Sequence, residues 1–178
     1  MRIDLHQTLQ RHVTYGALFC LSVWLTLLLS PVPARAQNFE LGLEAFNAGD
    51  YDEALSHWRP LSNQGDAKAQ AALGYLYFKG LGVARDGAVA ARWLLPAAER
   101  GQPTAQALLG VLYLEGRGVE RDPALAFMWC DLAMTYGFTD ALDCRDEAGG
   151  MLSLSEAERA HHLIAQWLGA HPGPGHFK

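Results

Sequence analysis

The chain has 178 residues, half of them hydrophobic, and a formal net charge of −5 at pH 7. This length suits a single domain with an apolar core. The acidic balance argues against nucleic acid and anionic lipid as main partners, because both require a basic protein surface.

Residues 1–36 have the pattern of a secretory signal peptide. A basic N-terminal stretch precedes an apolar centre at residues 17–29, and the segment ends in the small-x-small cleavage pattern Ala34-Arg35-Ala36. We therefore predict cleavage before Gln37. In a bacterial source, the mature protein would then be periplasmic or secreted.

The alternative for this segment is an uncleaved membrane anchor. No charge falls between Arg11 and Arg35, and these 23 residues could just span a bilayer. The short apolar centre and the good cleavage site favour cleavage. Removal of residues 1–36 leaves 11 basic and 18 acidic side chains, a net charge of −7.

Residues 37–66 predict a first helix pair, with helices near 38–48 and 52–63. The two runs are joined by the short turn Gly49-Asp50-Tyr51. This segment resembles a plain tetratricopeptide helix pair.

The centre of the chain repeats itself with an offset of 36 residues and no slip, so residues 67–102 and 103–138 form two successive repeats. A fixed period of this size indicates a solenoid or a repeat array. Each of these residues recurs 36 positions later: Ala69, Gln70, Leu73, Gly74, Tyr77, Gly80, Gly82, Val83, Asp86, Ala90, Trp93, Ala97 and Gly101.

Each repeat predicts two helices joined by a Gly-x-Gly loop. Ala, Leu and Gln favour helix, a glycine ends the first helix, and an aspartate, Asp86 or Asp122, caps the second. The helices are expected near 67–78 and 86–100 in the first repeat, and near 103–114 and 123–136 in the second. One such pair cannot bury its apolar face alone, whereas stacked pairs can.

Residues 139–169 predict a divergent helix pair that caps the array. Residues 139–148 begin like another first helix, and Gly149-Gly150 then interrupt it. Ser155 and Glu158 form a capping-box pattern ahead of an amphipathic helix at 157–168. Residues 170–178 are rich in Pro and Gly, which predicts a disordered tail.

This pattern of residues resembles the Sel-one-like repeat family, a relative of the tetratricopeptide repeat. The resemblance implies an all-α, right-handed superhelical solenoid of antiparallel helix pairs. It further implies a protein-binding scaffold that has no catalysis of its own. The residues that carry the resemblance are packing residues, so the partner stays open.

Cys130 and Cys144 remain after the leader is removed. Both lie seven residues from Gly137, the expected turn between two antiparallel helices, so they stand at the same height. One interpretation is a disulfide formed in an oxidising compartment, and the other is two buried thiols. Cysteine-rich bacterial members of the resembled family staple their helix pairs in this way.

The first helix of each pair lines the concave surface in the resembled folds. The side chains there that are free of core packing are expected to bind the partner, as an extended or helical peptide. We predict these groove residues: Leu43, Phe46, Lys68, Tyr75, Lys79, Thr104, Val111 and Glu115. The same mapping also places Asn47, Ala71, Phe78, Ala107 and Leu114 in the groove.

No residue pattern predicts catalysis, a metal or a cofactor. The Gly-x-Gly loops follow no strand and lack the third glycine of a phosphate-binding loop. His161 and His162 point about 100° apart on a helix, which does not suit a metal site, and His171 and His176 lie near the chain end. The alternative to a scaffold is an envelope enzyme or small-molecule binder, related to peptidoglycan or β-lactams, which should show a polar pocket.

Overall fold

A computed structural model describes the backbone of residues 34–171 and the side chains from Asn38. Within these residues the regular elements are helices, with no strand. The α-helices are α1 (Ala34–Ala48), α2 (Tyr51–Asn63), α3 (Ala67–Lys79), α4 (Gly87–Glu99), α5 (Pro103–Glu115), α6 (Pro123–Thr135), α7 (Leu142–Met151) and α8 (Leu154–Ala170), and a 3₁₀ turn, Thr139–Ala141, precedes α7. The predicted all-α array of helix pairs is confirmed. The account below concerns the compact unit that begins at Asn38.

The ends of the repeat helices follow from local chemistry. The side chains of Asp86 and Asp122 accept hydrogen bonds from amides in the first turns of α4 and α6, which confirms both predicted caps. Gly80 and Gly116 end α3 and α5 in the left-handed conformation, with φ of 77° and 67°. The helix boundaries of both repeats therefore lie within a residue of those expected.

The two helices of each repeat approach closely at one glycine. A Cβ atom on Gly74 would lie 2.6 Å from Leu94 Cδ2, and a Cβ atom on Gly110 would lie 2.2 Å from Cys130 Sγ. Both distances are shorter than a normal contact, so only glycine allows this packing. Around this point Leu73 and its repeat partner Leu109 are almost completely buried.

A buried glutamine joins each repeat to the helix before it. Gln70 Nε2 donates to the Ser62 carbonyl oxygen at 3.1 Å, and Gln106 Nε2 donates to the Ala98 carbonyl oxygen at the same distance. Each of these carbonyl oxygens also accepts a hydrogen bond from a backbone amide, Gly65 N or Gly101 N, so the glutamine adds a second bond at the end of the preceding helix. The repeated Ala-Gln pair thus marks a contact between neighbouring helix pairs.

The capping pair differs from its prediction in two ways. The predicted break at Gly149-Gly150 is wrong, because α7 runs through both glycines to Met151. Gly149 lies against the Phe127 ring, where even a Cβ would be tight at 3.2 Å. The first helix of the capping pair therefore uses Gly149 for packing rather than for termination.

The predicted capping box at Ser155 and Glu158 is also wrong. The box is formed two residues earlier, where Ser153 accepts a hydrogen bond from the Glu156 amide and Glu156 accepts one from the Ser153 amide. Ser153 has extended backbone angles, as an N-cap requires, whereas Ser155 already lies inside α8. Two serines at this spacing offer two equivalent patterns, and the sequence does not separate them.

The predicted leader and tail lie mostly outside the described residues. The predicted leader at 1–36 lies outside the described residues except for the start of α1, and the predicted tail lies outside them after His171. Ala170, assigned to that tail, is the last residue of α8. Between residues 34 and 171 no helix is both long and apolar enough to cross a membrane.

Candidate functional site

A cavity of about 310 Å³ lies between the first helix pair and α3. It contains five of the eight residues predicted to bind the partner, namely Leu43, Phe46, Lys68, Tyr75 and Thr104. Phe39, Trp58, Ala71, Ala72 and Gln102 complete its lining. We call the surface of α1, α3 and α5 around this cavity the groove.

Aromatic side chains shape the cavity wall. Phe46 lies at the centre of the cluster, with its ring centroid 5.8 Å from Trp58 and 5.9 Å from Tyr75. Phe39 stacks on Trp58 at 5.9 Å, and Trp58 Nε1 donates to the Phe39 carbonyl oxygen at 3.2 Å. Because the buried indole N–H has a partner, Trp58 can form an apolar wall without an unsatisfied donor.

Lys79, Val111 and Glu115 do not line the cavity. The Lys79 ammonium lies 6.0 Å from the Tyr75 ring centroid, so it is adjacent to the cavity. Val111 is half-buried and packs against the core, and exposed Glu115 pairs with Arg117 at 3.3 Å. The predicted groove therefore divides into a cavity around α3 and a separate surface at the end of α5.

Four residues assigned to the groove by the sequence belong to the core instead. Ala71, Phe78, Ala107 and Leu114 are all less than 9% exposed. They pack where the first helices of neighbouring repeats meet, so the free face of each first helix is narrower than the pattern suggested. Ala71 still contributes to the cavity wall. Asn47 is exposed, as expected for a residue without a core role.

Sequence reasoning missed Phe39 and treated Trp58 only as core. Phe39, Leu43 and Phe46 recur at spacings of four and three in α1, which places them on one helix face. That periodicity could have identified Phe39. Trp58 is 3% exposed, so the sequence interpretation of a core residue holds, and the same side chain also lines the cavity.

The groups with shifted pKa values lie away from the cavity. At Asp122 burial acts to raise the pKa, but hydrogen bonds from Arg159 and two backbone amides, with the Arg159 charge, outweigh it and leave the pKa lowered. Burial, and then the Asp122 charge, raise the pKa of the Tyr113 phenol. Hydrogen bonds from Ser153 lower the pKa of Glu156. Among the described residues, Lys68 is the one charged residue in the cavity lining.

The cysteines and histidines are near the other end of the array. Cys130 and Cys144 form a disulfide between α6 and α7, with Cα atoms 6.2 Å apart. His161 packs edge-on against Phe127, and His171 stacks on Trp167 at 4.1 Å. Over residues 34–171 no three His, Cys, Asp or Glu side chains are arranged to hold a metal ion. His176 lies beyond the described part of the chain.

Comparison with known proteins places these features in a family. The family model described as Sel1 repeat matches residues 67–102 and 103–133. A crystal structure of a Sel1 repeat protein from Oxalobacter formigenes is 33% identical with a TM-score of 0.56, and the match covers 64% of this chain and 88% of that one. This chain belongs to the Sel1 repeat family.

A second Sel1-type structure has the same fold. It is c5321, a protective antigen present in uropathogenic Escherichia coli strains and displaying an SLR fold, with 30% identity and a TM-score of 0.71. The match covers 76% of this chain but only 30% of c5321, so this chain spans less than a third of that protein. No curated protein sequence matches significantly. Sel1 repeats are generally non-catalytic scaffolds for protein interaction.

Proposed function

We propose that this protein is a non-catalytic adaptor of the bacterial cell envelope that binds a protein partner along the groove. The observation that carries the proposal is the cavity, which brings five separately predicted groove residues onto one surface. These residues come from α1, α3 and α5, so a ligand placed there would contact three successive helix pairs.

The lining of the cavity suits one bulky apolar side chain of a bound segment. Phe46 and Tyr75 meet edge to face, and the partly exposed rings and Leu43 present apolar surface to solvent. Interfaces concentrate their binding energy in such pockets, where an anchor is desolvated and the surrounding contacts exclude water. Extended or helical peptides dock on helical repeats through anchors of this kind.

The envelope location is part of the same proposal. The N-terminal pattern at residues 1–36 supports export, and the disulfide between Cys130 and Cys144 fits an oxidising compartment. Both similar structures come from bacteria. N-terminal sequencing of the exported protein tests this part: a mature chain that begins at Gln37 supports it, and an intact leader indicates a membrane anchor.

The partner test compares two substitutions that each remove an exposed or half-exposed apolar side chain. Tyr75→Ala alters the cavity, whereas Leu95→Ala alters the outer surface of α4, where Leu95 is 39% exposed. Crosslinking and affinity purification from the envelope fraction identify a partner of the wild-type protein. Its affinity for each variant is then measured, with circular dichroism as the check on folding.

We expect Tyr75→Ala to weaken the partner by about tenfold or more, the effect of one hot-spot aromatic, and Leu95→Ala to leave the affinity unchanged. The reverse order would move the binding surface to the outer helices and contradict the proposal. A small molecule that raises the melting temperature of the wild type but not of Tyr75→Ala would instead favour the ligand-binding alternative.

A further inference from the structure

Lysine is rare in this protein, and its placement is informative. The described residues contain two lysines, Lys68 and Lys79, and both belong to α3. The remaining cationic side chains of this part of the chain are arginines or histidines. Lys68 lines the cavity, and the Lys79 ammonium lies 6.0 Å from the Tyr75 ring centroid.

The two lysines and Tyr75 form one stripe along α3. Lys79 follows Lys68 by three helical turns, so the two side chains point within about 20° of each other and lie about 16 Å apart along the axis. Tyr75 lies between them, also within about 20° of Lys68. The helix therefore presents an aromatic ring with a positive charge toward each end.

Neither lysine has an acidic partner among the described residues. Three arginines of the described chain do have one, in the pairs Arg117 with Glu115, Arg145 with Asp146 and Arg159 with Asp122. In the part of the chain that the structure describes, the cavity lining contains no carboxylate, and the acidic residues of α1, Glu40 and Glu44, are not part of it. The chain after residue 36 has a net charge of −7, so the surface around Lys68 and Lys79 is a local positive site on an acidic protein.

We propose that the groove selects an acidic-flanked apolar peptide, a segment that places one bulky apolar side chain in the cavity and a carboxylate on each side of it. This inference rests on the proposed function and names the chemistry of its partner. In an extended segment, two residues four positions apart lie on the same face and are separated by about 13 Å. Their carboxylates can therefore reach the flexible side chains of Lys68 and Lys79, whose positions on α3 are about 16 Å apart.

Charge would determine both the position and the selectivity of such a partner. The acidic remainder of the surface repels an acidic segment, while the two lysines attract it at one place. The apolar anchor supplies most of the affinity, and the flanking carboxylates set the register of the segment along α3. A neutral or basic segment would gain the anchor contact without these ion pairs.

The test begins with a random peptide library displayed on phage and selected on the purified full-length protein. Peptides that bind the wild type but not Tyr75→Ala are kept, because they depend on the cavity. We expect these peptides to share an aromatic or large aliphatic residue with Asp or Glu on both sides. A selected set with neutral or basic flanks would overturn the inference.

The second step measures one selected peptide against the double variant Lys68→Gln with Lys79→Gln. The matched control, Arg59→Gln with Arg92→Gln, removes the same charge from exposed positions on α2 and α4. We expect the lysine variant to bind about three- to tenfold more weakly at low salt, as for two solvated ion pairs, and the control to bind like the wild type. The difference should shrink in about 0.5 M salt, where charges are screened.

The outcomes separate the two proposals. If binding depends on Tyr75 but is equal in the lysine variant and the control, the acidic-partner inference fails and the groove remains a binding site. If no selected peptide depends on Tyr75, the proposed function itself fails. Replacement of the peptide carboxylates by Gln should weaken binding to the wild type and leave binding to the lysine variant unchanged.

Discussion

The contact between the two repeats and the contact between the second repeat and the capping pair use different residues at corresponding positions. Leu94 and Leu108 belong to one apolar cluster where the first repeat meets the second. Thirty-six residues later the corresponding positions are Cys130 and Cys144, which are bonded where the second repeat meets the capping pair. The array thus replaces leucine packing by a covalent link at its C-terminal end.

The composition of the capping pair explains this replacement. Ala160 is the one residue of α8 that is completely buried, and α7 buries only Cys144 and Ala148. A repeat helix such as α5 buries seven residues. Because α7 and α8 bury fewer residues completely than a repeat helix does, the disulfide adds to their attachment, and the ion pair between Arg159 and Asp122 adds a smaller contribution. A terminal pair presents a polar outer face to solvent, which leaves less of its surface for apolar packing.

The largest effect should follow from removal of the disulfide. The double variant Cys130→Ala with Cys144→Ala should lose about 3 kcal/mol of unfolding free energy, because the bond closes a short loop in the unfolded chain. Chemical denaturation measures the loss, and hydrogen exchange should place it in α6, α7 and α8. A loss of less than about 1 kcal/mol would contradict a stabilising role for the bond.

Leucine at positions 130 and 144 tests whether apolar packing can replace the disulfide. Leu94 packs over Gly74 as Cys130 packs over Gly110, so the Cys130→Leu with Cys144→Leu variant copies the upstream junction. We expect it to be more stable than the alanine pair by about 1 to 2 kcal/mol, from the apolar area that leucine buries.

The glycines beneath these residues should respond unequally to alanine. A Cβ on Gly74 meets the flexible end of Leu94, whereas a Cβ on Gly110 meets Cys130 Sγ, which the disulfide fixes, and the Ala126 carbonyl oxygen at 3.1 Å. Overpacking costs about 1 to 3 kcal/mol, so Gly110→Ala should lie at the high end of this range and Gly74→Ala at the low end.

Gly150→Ala is the control for this pair. No heavy atom lies within 4 Å of the added Cβ, so the change should stabilise α7 by about 0.5 to 1 kcal/mol through helix propensity. Thermal unfolding of the three variants gives the order. Equal losses at Gly74 and Gly110 would show that the disulfide does not restrict relaxation.

The start of α8 offers a test between two neighbouring serines. Ser153→Ala removes the side chain that accepts the Glu156 amide and should cost about 1 kcal/mol. Ser155→Ala should have almost no effect, because Ser155 lies inside the helix. Urea denaturation measures both, and a larger loss for Ser155 would restore the capping box that the sequence predicted.

The smallest effect concerns the ion pair of the capping helix. Asp122→Asn keeps the cap of α6 but loses the charge opposite Arg159, and should cost about 0.5 kcal/mol at neutral pH, because Arg159 is largely exposed. Asp86→Asn is the control, since Asp86 caps α4 through the Val89 amide and has no basic partner in the described chain.

The pH dependence of this pair has a fixed sign. Burial acts to raise the folded pKa of Asp122, but the contact with Arg159 outweighs burial and leaves this pKa lowered. The contribution of the ion pair to folding stability is therefore complete above the ordinary pKa of aspartate. It is lost as the pH falls through the lower folded value. The stability difference between wild type and Asp122→Asn should therefore be present at pH 7 and vanish in strong acid. A difference that persists in acid would indicate a cause other than the ion pair.

Much of the fold could be predicted because its causes are local and repeated. The period of 36, the caps Asp86 and Asp122, and the terminating glycines Gly80 and Gly116 each depend on a few neighbouring residues. The family follows from the same positions. Where two equivalent local patterns were available, as at Ser153 and Ser155, local reasoning selected the wrong one.

About half of the candidate site could be predicted. Five groove residues line the cavity because the free face of a first helix follows from its periodicity. Phe78 and Leu114 lie close to the free face of their helices but are buried, because the neighbouring repeat covers the ends of α3 and α5. How much of a helix face is covered depends on the distance and angle of the next helix, which no local pattern encodes.

The sequence by itself determined the repeat, its register and the helix ends, because these depend on residue spacing and on the conformations that glycine, proline and capping side chains prefer. Only the tertiary structure decided that Phe39 and Trp58 join the cavity, that Cys130 and Cys144 are bonded, and that Lys68 and Lys79 flank one aromatic ring without acidic partners among the described residues. These features arise from contacts between helices that are distant in the chain, and packing in three dimensions sets which side chains meet.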